Sequence, residues 1–353
     1  MKNTAAFSSG KLGIYTRYSE RGASSRLRYY LYRQALTEQG FLPQYHPFFT
    51  DGYLQKLYSG KGKSKTDALA ALLKRFCRLP FLEKELLIEY ELSPFLPAGV
   101  ELFFIGKRKY VLNFDDLVWE KYKNISLLSG KFDKLIANAA GVIAANHLLY
   151  DRIKQLNPRV ILIPTVVDLD HYRRREVRDT AVLRAAWIGT PVTFQECFLP
   201  LEKTLRTVCG EIPLEILVIA SDRIAPLPGI NMTSVNWSEE TEAALLSSCD
   251  IGIMPLADND FSRGKSAYKL IQYAAAGLPS VASPVGENKH FIRQGENGFC
   301  ADTPEQWLSA VQYLSVTENR QKMSGAIYQT AYAYSLQKYA PVLADFLKAC
   351  FSC

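Results

Sequence analysis

No stretch of 18 apolar residues occurs in this 353-residue chain, so no helix long enough to span a bilayer is expected. The amino-terminal MKNTAAFSSG lacks the apolar core of a secretory leader, and a cytoplasmic location is the expectation. Histidine is scarce. The four residues at 46, 147, 171 and 290 stand alone, none at a spacing that metal ligation uses, and no metal site is expected. The seven cysteines (77, 197, 209, 249, 300, 350 and 353) are odd in number and mostly sit inside apolar runs. They read as reduced core thiols, not as a disulfide framework. No G-x-G-x-x-G follows the first strand, which argues against a nicotinamide or flavin dinucleotide, and no cofactor is expected.

What is present is an ordinary globular composition, 48% hydrophobic and 22% charged, in a chain long enough for two full cores. The net charge of +7 is unevenly shared. Residues 1–168 hold 25 Lys and Arg against 15 Asp and Glu, whereas residues 169–353 hold 17 against 20. The first half therefore presents a positive field suited to an anionic partner, without choosing among a phospholipid surface, a lipid diphosphate or nucleic acid.

The chain is organised around Asp250–Asn297. DIGIMPL is a short apolar run closed by Pro255 and the polar ADND, which reads as a buried parallel strand. The spacing predicts a helix from Lys265 to Ala276, stopped by Gly277 and Pro279, and then PSVAS as a second buried strand. This is a βαβ unit, whose ligands lie beyond the carboxyl ends of its strands. On such a helix Lys265, Lys269 and Gln272 share one stripe. Arg263 and Gly264 precede it, so cations and the positive end of the helix converge, as a diphosphate requires. A solvated lysine face is the other reading of these residues.

The run RGKSAYKLIQYAAAGLPSVASPVGEN, with NGF and a TPEQW helix after it, resembles the donor-nucleotide half of the family 4 retaining glycosyltransferases. The similarity is closest to a bacterial branch carrying GK-x-x-x-K-L-x-Q-Y-x-A-x-G-L-P. The resemblance implies an α/β chain of GT-B fold, two Rossmann-like domains with parallel sheets facing across a cleft. Many members carry two Glu residues eight apart in this helix, the second holding the nucleotide ribose. Here those positions are Gly264 and Gln272. A Gln amide can still bond a ribose diol.

The remainder of the chain fits that frame. KLGIYTRY reads as the opening strand, and Arg17, Arg21, Ser24, Ser25 and Arg26 around Gly22 make an anion or hydroxyl site or a Ser-capped helix start. By resemblance this loop approaches the sugar, with Arg26 binding substrate. Residues 53–85 carry eight cations against three anions. There SGKGKSK reads as a loop and DALAALLKRFCRL as a basic amphipathic helix, which suits either docking on an anionic membrane or a solvated face. ELLIEYEL and KYVLNFDDLVW (109–119) read as strands, the second ending in Asp115 and Asp116. The pair resembles the branch's DFDD segment, which places Asp115 beside the transferred sugar; helix capping is its other reading. RVILIPTVVDLDHY reads as the sixth strand and its exit, and RRREVRD as the linker. After RAAWIG come Thr190, Pro191, Val192 and Thr193, where family members often place phosphate-binding cations. Arg263 and Lys265 are left with that load.

The expected organisation is an acceptor-side domain over 1–170, a nucleotide-sugar donor domain over 171–335, and a final helix at about 336–353 packing back on the first. Asp115 and Lys265 are the expected catalytic residues. Arg26, Asp116, Gly189, Thr190, Arg263, Lys269, Gln272 and Gly286 are the expected substrate-binding ones. The expected function is transfer of a sugar, with retention and without a metal, from a nucleoside diphosphate sugar to a carbohydrate or lipid-linked acceptor in bacterial surface polysaccharide assembly. An anionic membrane surface is a further expected partner, at the inner face of the plasma membrane, and no nucleic acid is expected. The alternatives are a sugar-nucleotide epimerase of the same fold and a non-catalytic sugar-nucleotide-binding protein.

Overall fold

The computed structural model describes residues 10–58, 65–173 and 176–352. Contacts divide the chain into two units, Met1–Thr165 with Lys338–Cys353, and Val166–Gln337. Each is built on a six-stranded, wholly parallel sheet. No helix among the described residues is long and apolar enough to cross a membrane.

In the first unit the strands are β1 (Lys11–Tyr15), β2 (Leu42–Tyr45), β3 (Glu85–Glu89), β4 (Lys109–Phe114), β5 (Gly141–Ala144) and β6 (Val160–Leu162), in the order 2-1-3-4-5-6. The order reverses between β1 and β3, so the chain leaving these two neighbours opens a crevice at their carboxyl ends. The central strands β3, β4 and β5 are almost wholly buried, as a parallel sheet covered on both faces requires, whereas the edge strand β2 is half-exposed. The helix Leu336–Ser352 belongs to this unit from Lys338 onward: Lys109 Nζ donates to the Phe351 carbonyl at 2.9 Å, and a side chain at Gly141 would overlap Cys350. Several strands are shorter than the sequence suggests. KLGIYTRY is strand only to Tyr15, although Phe48 and Phe49 still donate to the Thr16 and Arg17 carbonyls beyond it, and KYVLNFDDLVW is strand only to Phe114.

The second unit holds β7 (Leu183–Gly189), β8 (Leu214–Ala220), β9 (Met232–Asn236), β10 (Ile251–Met254), β11 (Ser280–Ala282) and β12 (Gly298–Cys300), ordered 12-11-10-7-8-9. Here the reversal falls between β7 and β10. Two helix starts are set locally: Ser238 caps the helix Glu239–Ser247, and Thr303 with Gln306 forms a capping box on Pro304–Ser315.

One side chain ties the switch point together. Tyr273, on the helix Tyr268–Ala275, is fully buried; its hydroxyl donates to the Ile253 carbonyl at 3.1 Å and accepts from the Ile188 N–H at 3.2 Å. It thereby pins the helix to both strands flanking the crevice. Gly252 in β10 is required for this, since a Cβ there would overlap the Tyr273 ring. The helix ends as its sequence dictates: Gly277, at φ 82°, and Leu278 return N–H bonds to the Ala274 and Tyr273 carbonyls in a Schellman closure.

The start of that helix differs from expectation. It begins at Tyr268, not Lys265. Asn259 accepts from the Ser262 N–H and caps a separate turn, Asp260–Arg263; Gly264 ends it, and Ala267 adopts a left-handed φ of 53° before the second helix starts. Lys265 therefore precedes the helix and does not oppose its dipole.

Candidate functional site

At the carboxyl end of β7, Gly189 faces the segment that leaves β10. A Cβ on Gly189 would come within 2.8 Å of Lys269 Nζ and 2.6 Å of the Trp187 ring, so only glycine lets the chain pass here. The Lys269 ammonium lies 4.1 Å from the centre of the Trp187 ring, a cation–π contact, and Trp187 is itself braced edge-on by Phe194 and Phe198. Lys265 Nζ sits 4.0 Å from Cys197 Sγ in the same neighbourhood. Burial, with a smaller contribution from the neighbouring Lys265 charge, pushes the Lys269 ammonium down to about 7. Two amines thus share a half-buried site at the reversal of the second sheet, where an anion would favour both of their charged forms.

Around this pair the structure gathers Gly189, Thr190, Lys265 and Lys269 from distant parts of the sequence. Thr190 is the cap of Pro191–Thr193, its hydroxyl accepting from the Thr193 N–H at 3.2 Å. Arg263 is bonded to Asp258 through Nε at 2.7 Å. Gly286, at φ 53°, supports the backbone before Lys265: a Cβ there would meet the Arg263 carbonyl oxygen at 2.7 Å. Gln272 is buried one helical turn beyond Lys269, and its amide donates to Glu242 Oε1 at 2.6 Å.

The first unit has its own group at the reversal of its sheet. Glu89, at the end of β3 and 3% exposed, accepts from the Arg17 N–H at 2.7 Å and the Ser25 hydroxyl at 2.6 Å. Ser25 Oγ in turn accepts from the Tyr18 N–H. The serines expected to cap a helix or bind an anion instead hold the β1 exit loop to Glu89; Gly22, not a serine, is the N-cap of Ala23–Arg28. Arg26 lies on that six-residue helix. Burial raises the Glu89 carboxyl to about 7, and the Asp115 charge adds to the shift. Asp115 leaves β4 half-buried and accepts from the Tyr90 hydroxyl, whereas Asp116 is exposed. Tyr90 follows Glu89 with a φ of 61°, a left-handed conformation that costs a bulky residue about 1–3 kcal/mol and aims its hydroxyl at Asp115.

Sequence reasoning missed Glu89, Tyr90, Trp187 and Glu242. A lone carboxylate inside the apolar run ELLIEY was the available signal for Glu89. Glu242 gave none, because an acid near the start of a helix is ordinary.

Residues 208–316, part of the second unit, match the family model described as glycosyl transferases group 1. No curated protein sequence matches the chain. Among solved structures, sucrose-phosphate synthase from Thermosynechococcus elongatus superposes with a TM-score of 0.66 at 14% identity, covering 97% of this chain and 99% of that one. Anabaena Alr3699/HepE, solved with UDP and glucose, gives 0.65 at 12% identity over 96% and 100% of the two chains. A glycosyltransferase from Rickettsia africae gives 0.65 at 13% identity over 98% and 99%. The fold is GT-B. At these identities the likeness extends to the GT-B architecture, two Rossmann-like domains, and not to the ligands of those proteins.

Lys269 has a consequence for stability. An ammonium whose pKa falls on folding binds more protons unfolded than folded between about 7 and its ordinary 10.5, so its contribution to stability improves as pH rises through that window and is least favourable below it. Lys269→Met is expected to raise the urea midpoint at pH 7 and to flatten the rise toward pH 10. A variant with a lower midpoint and an unchanged slope would show that Lys269 is not a strained ammonium.

Proposed function

We propose that the protein is a glycosyltransferase that moves a sugar, with retention, from a nucleoside diphosphate sugar to a carbohydrate or lipid-linked acceptor, in assembly of a bacterial surface polysaccharide. The observation that carries this reading is the Lys265 and Lys269 pair beside Gly189. Departure of a nucleoside diphosphate leaves negative charge on its phosphates, and pre-placed amines in a site of low polarity stabilise such charge without reorganising. As the diphosphate arrives, Lys269 takes up a proton and becomes the cation that the free protein holds only partly. Since Arg263 is bonded to Asp258, the lysines carry most of this role.

The sugar ring develops positive charge as the bond to the diphosphate breaks. Asp115, fixed by the strained Tyr90, is the carboxylate assigned to that charge, and the β1 exit loop held by Glu89, with Arg26, is assigned to the sugar. Retention rests on the sequence resemblance, and independence from metal on the scattered histidines and on cations that can take up the diphosphate charge. Gly264, where many family members carry a Glu, is what favours the second reading, a sugar-nucleotide-binding protein without turnover.

The acceptor reading draws on the helix Lys65–Arg78. Its inner side is fastened by the buried Arg75, which donates to the His46 carbonyl at 2.7 Å and the Leu92 carbonyl at 2.9 Å. Its outer side carries Leu69, Leu73 and Phe76 at one-face spacing, 59%, 60% and 53% exposed. An apolar stripe beside Lys65, Lys74 and Arg78 suits the headgroup region of an anionic bilayer better than water. Lys61 and Lys63, also expected to take part, lie outside the described residues.

Turnover against a panel of nucleotide sugars separates transferase from binder. Wild type is expected to release nucleoside diphosphate in the presence of acceptor. Asp115→Asn should lower turnover at least 100-fold while changing nucleoside diphosphate affinity less than about threefold. Normal turnover in that variant would remove Asp115 from the chemistry, and tight binding without turnover in wild type would establish the binder. For the membrane, Leu73→Ser with Phe76→Ser should reduce sedimentation with anionic vesicles at least fivefold and leave nucleotide binding intact. Unchanged sedimentation would return the helix to a solvated face.

A further inference from the structure

Glu242 is held in an unusual way. Its Oε1 accepts from the Tyr172 hydroxyl at 2.7 Å and the Gln272 amide at 2.6 Å, and its Oε2 accepts from the Trp237 indole N–H at 2.5 Å. All three donors are neutral. They come from three separate places: the chain entering the second unit, the exit of β9, and the helix Tyr268–Ala275. A half-buried carboxylate oriented by three neutral donors has about four acceptor positions, which leaves room for one further hydroxyl donor, on Oε2.

Its position says which hydroxyls. Trp237, whose N–H bonds the Ala220 carbonyl at the end of β8, sets the cluster at the carboxyl edge of the second sheet. Ala220 is paired in register with Gly189, the residue beside the two lysines. Lys269 and Gln272 stand three residues apart on one helix face, about 4.5 Å along the axis. Anion-binding amines and a hydroxyl-accepting carboxylate thus lie about one turn apart along one edge. A ligand with a diphosphate at one end and a vicinal diol close by meets both, and a nucleoside diphosphate has that shape.

We propose that Glu242 is the residue that accepts a hydrogen bond from a hydroxyl of the nucleotide ribose, and that Gln272, expected from sequence to hold the ribose itself, positions Glu242. The proposal rests on the nucleoside diphosphate reading of the lysine site. Tyr172 and Trp237 complete the bracket, so the carboxylate is presented in one orientation before the nucleotide arrives.

The test compares hydroxyl-bearing and hydroxyl-free ligands on the same protein. Affinities of the full chain are measured for the 5′-diphosphates of uridine, guanosine, adenosine and cytidine, and for the 2′,3′-dideoxy counterpart of the tightest. Wild type should prefer the ribonucleotide at least 10-fold. Glu242→Gln should cut that preference to threefold or less, mainly by weakening the ribonucleotide. A purely structural Glu242 would weaken both ligands alike and leave the ratio intact, which would overturn the proposal. If Glu242→Gln melts below the assay temperature, Glu242→Asp serves in its place: withdrawing the carboxylate by one methylene should reduce the ratio, and an unchanged ratio is again contrary. Failure of all four diphosphates to bind wild type would overturn the nucleotide reading together with this one. Binding with no ribose preference in wild type would overturn this one alone.

Discussion

The account depends on the placing of one ammonium group. Lys269 rests on the Trp187 ring, next to a glycine that cannot carry a side chain and close enough to Lys265 to feel its charge. Burying an amine beside a second amine is unfavourable, and the cation–π contact recovers only about 1–2 kcal/mol of that cost. Such an arrangement persists when the rest of the structure fixes it. Tyr273, four residues on, does so by bonding both β7 and β10. The site is thus an unfavourable charge held in place by a favourable core.

Both units place their unusual groups by the same topological rule. Where strand order reverses, adjacent strands send their continuations to opposite sides and leave a crevice. In the second unit that crevice receives Gly189 and the lysines. In the first it receives the β1 exit loop, Glu89 and the strained Tyr90.

How much of this could be read in the sequence follows from which interactions are local. The βαβ unit and the Gly277 stop are encoded within a few neighbouring residues, and both were legible. Lys265 and Lys269 were legible as a pair because their positions at the edge of a strand are a local matter too. The start of the helix was misread, since the Asn259 cap on a four-residue turn and the left-handed Ala267 leave no periodic signal. The buried carboxylates were not legible. Trp237 apart, Glu89 and Glu242 acquire their character from donors 30 to 72 residues away in the chain, brought near by the sheets. Gln272 shows the same limit: its place on the helix was evident, but not that its amide is bonded to Glu242.

Proton uptake measures the central claim most directly. Titration calorimetry of a nucleoside 5′-diphosphate at pH 8, in buffers of different ionisation enthalpy, counts protons bound with the ligand. At that pH the phosphates, with a second pKa near about 6, are already ionised, so uptake reports on the protein. The account predicts uptake approaching one proton per diphosphate in wild type and almost none in Lys269→Met. Binding by wild type with no proton uptake, or equal uptake by both proteins, would contradict it.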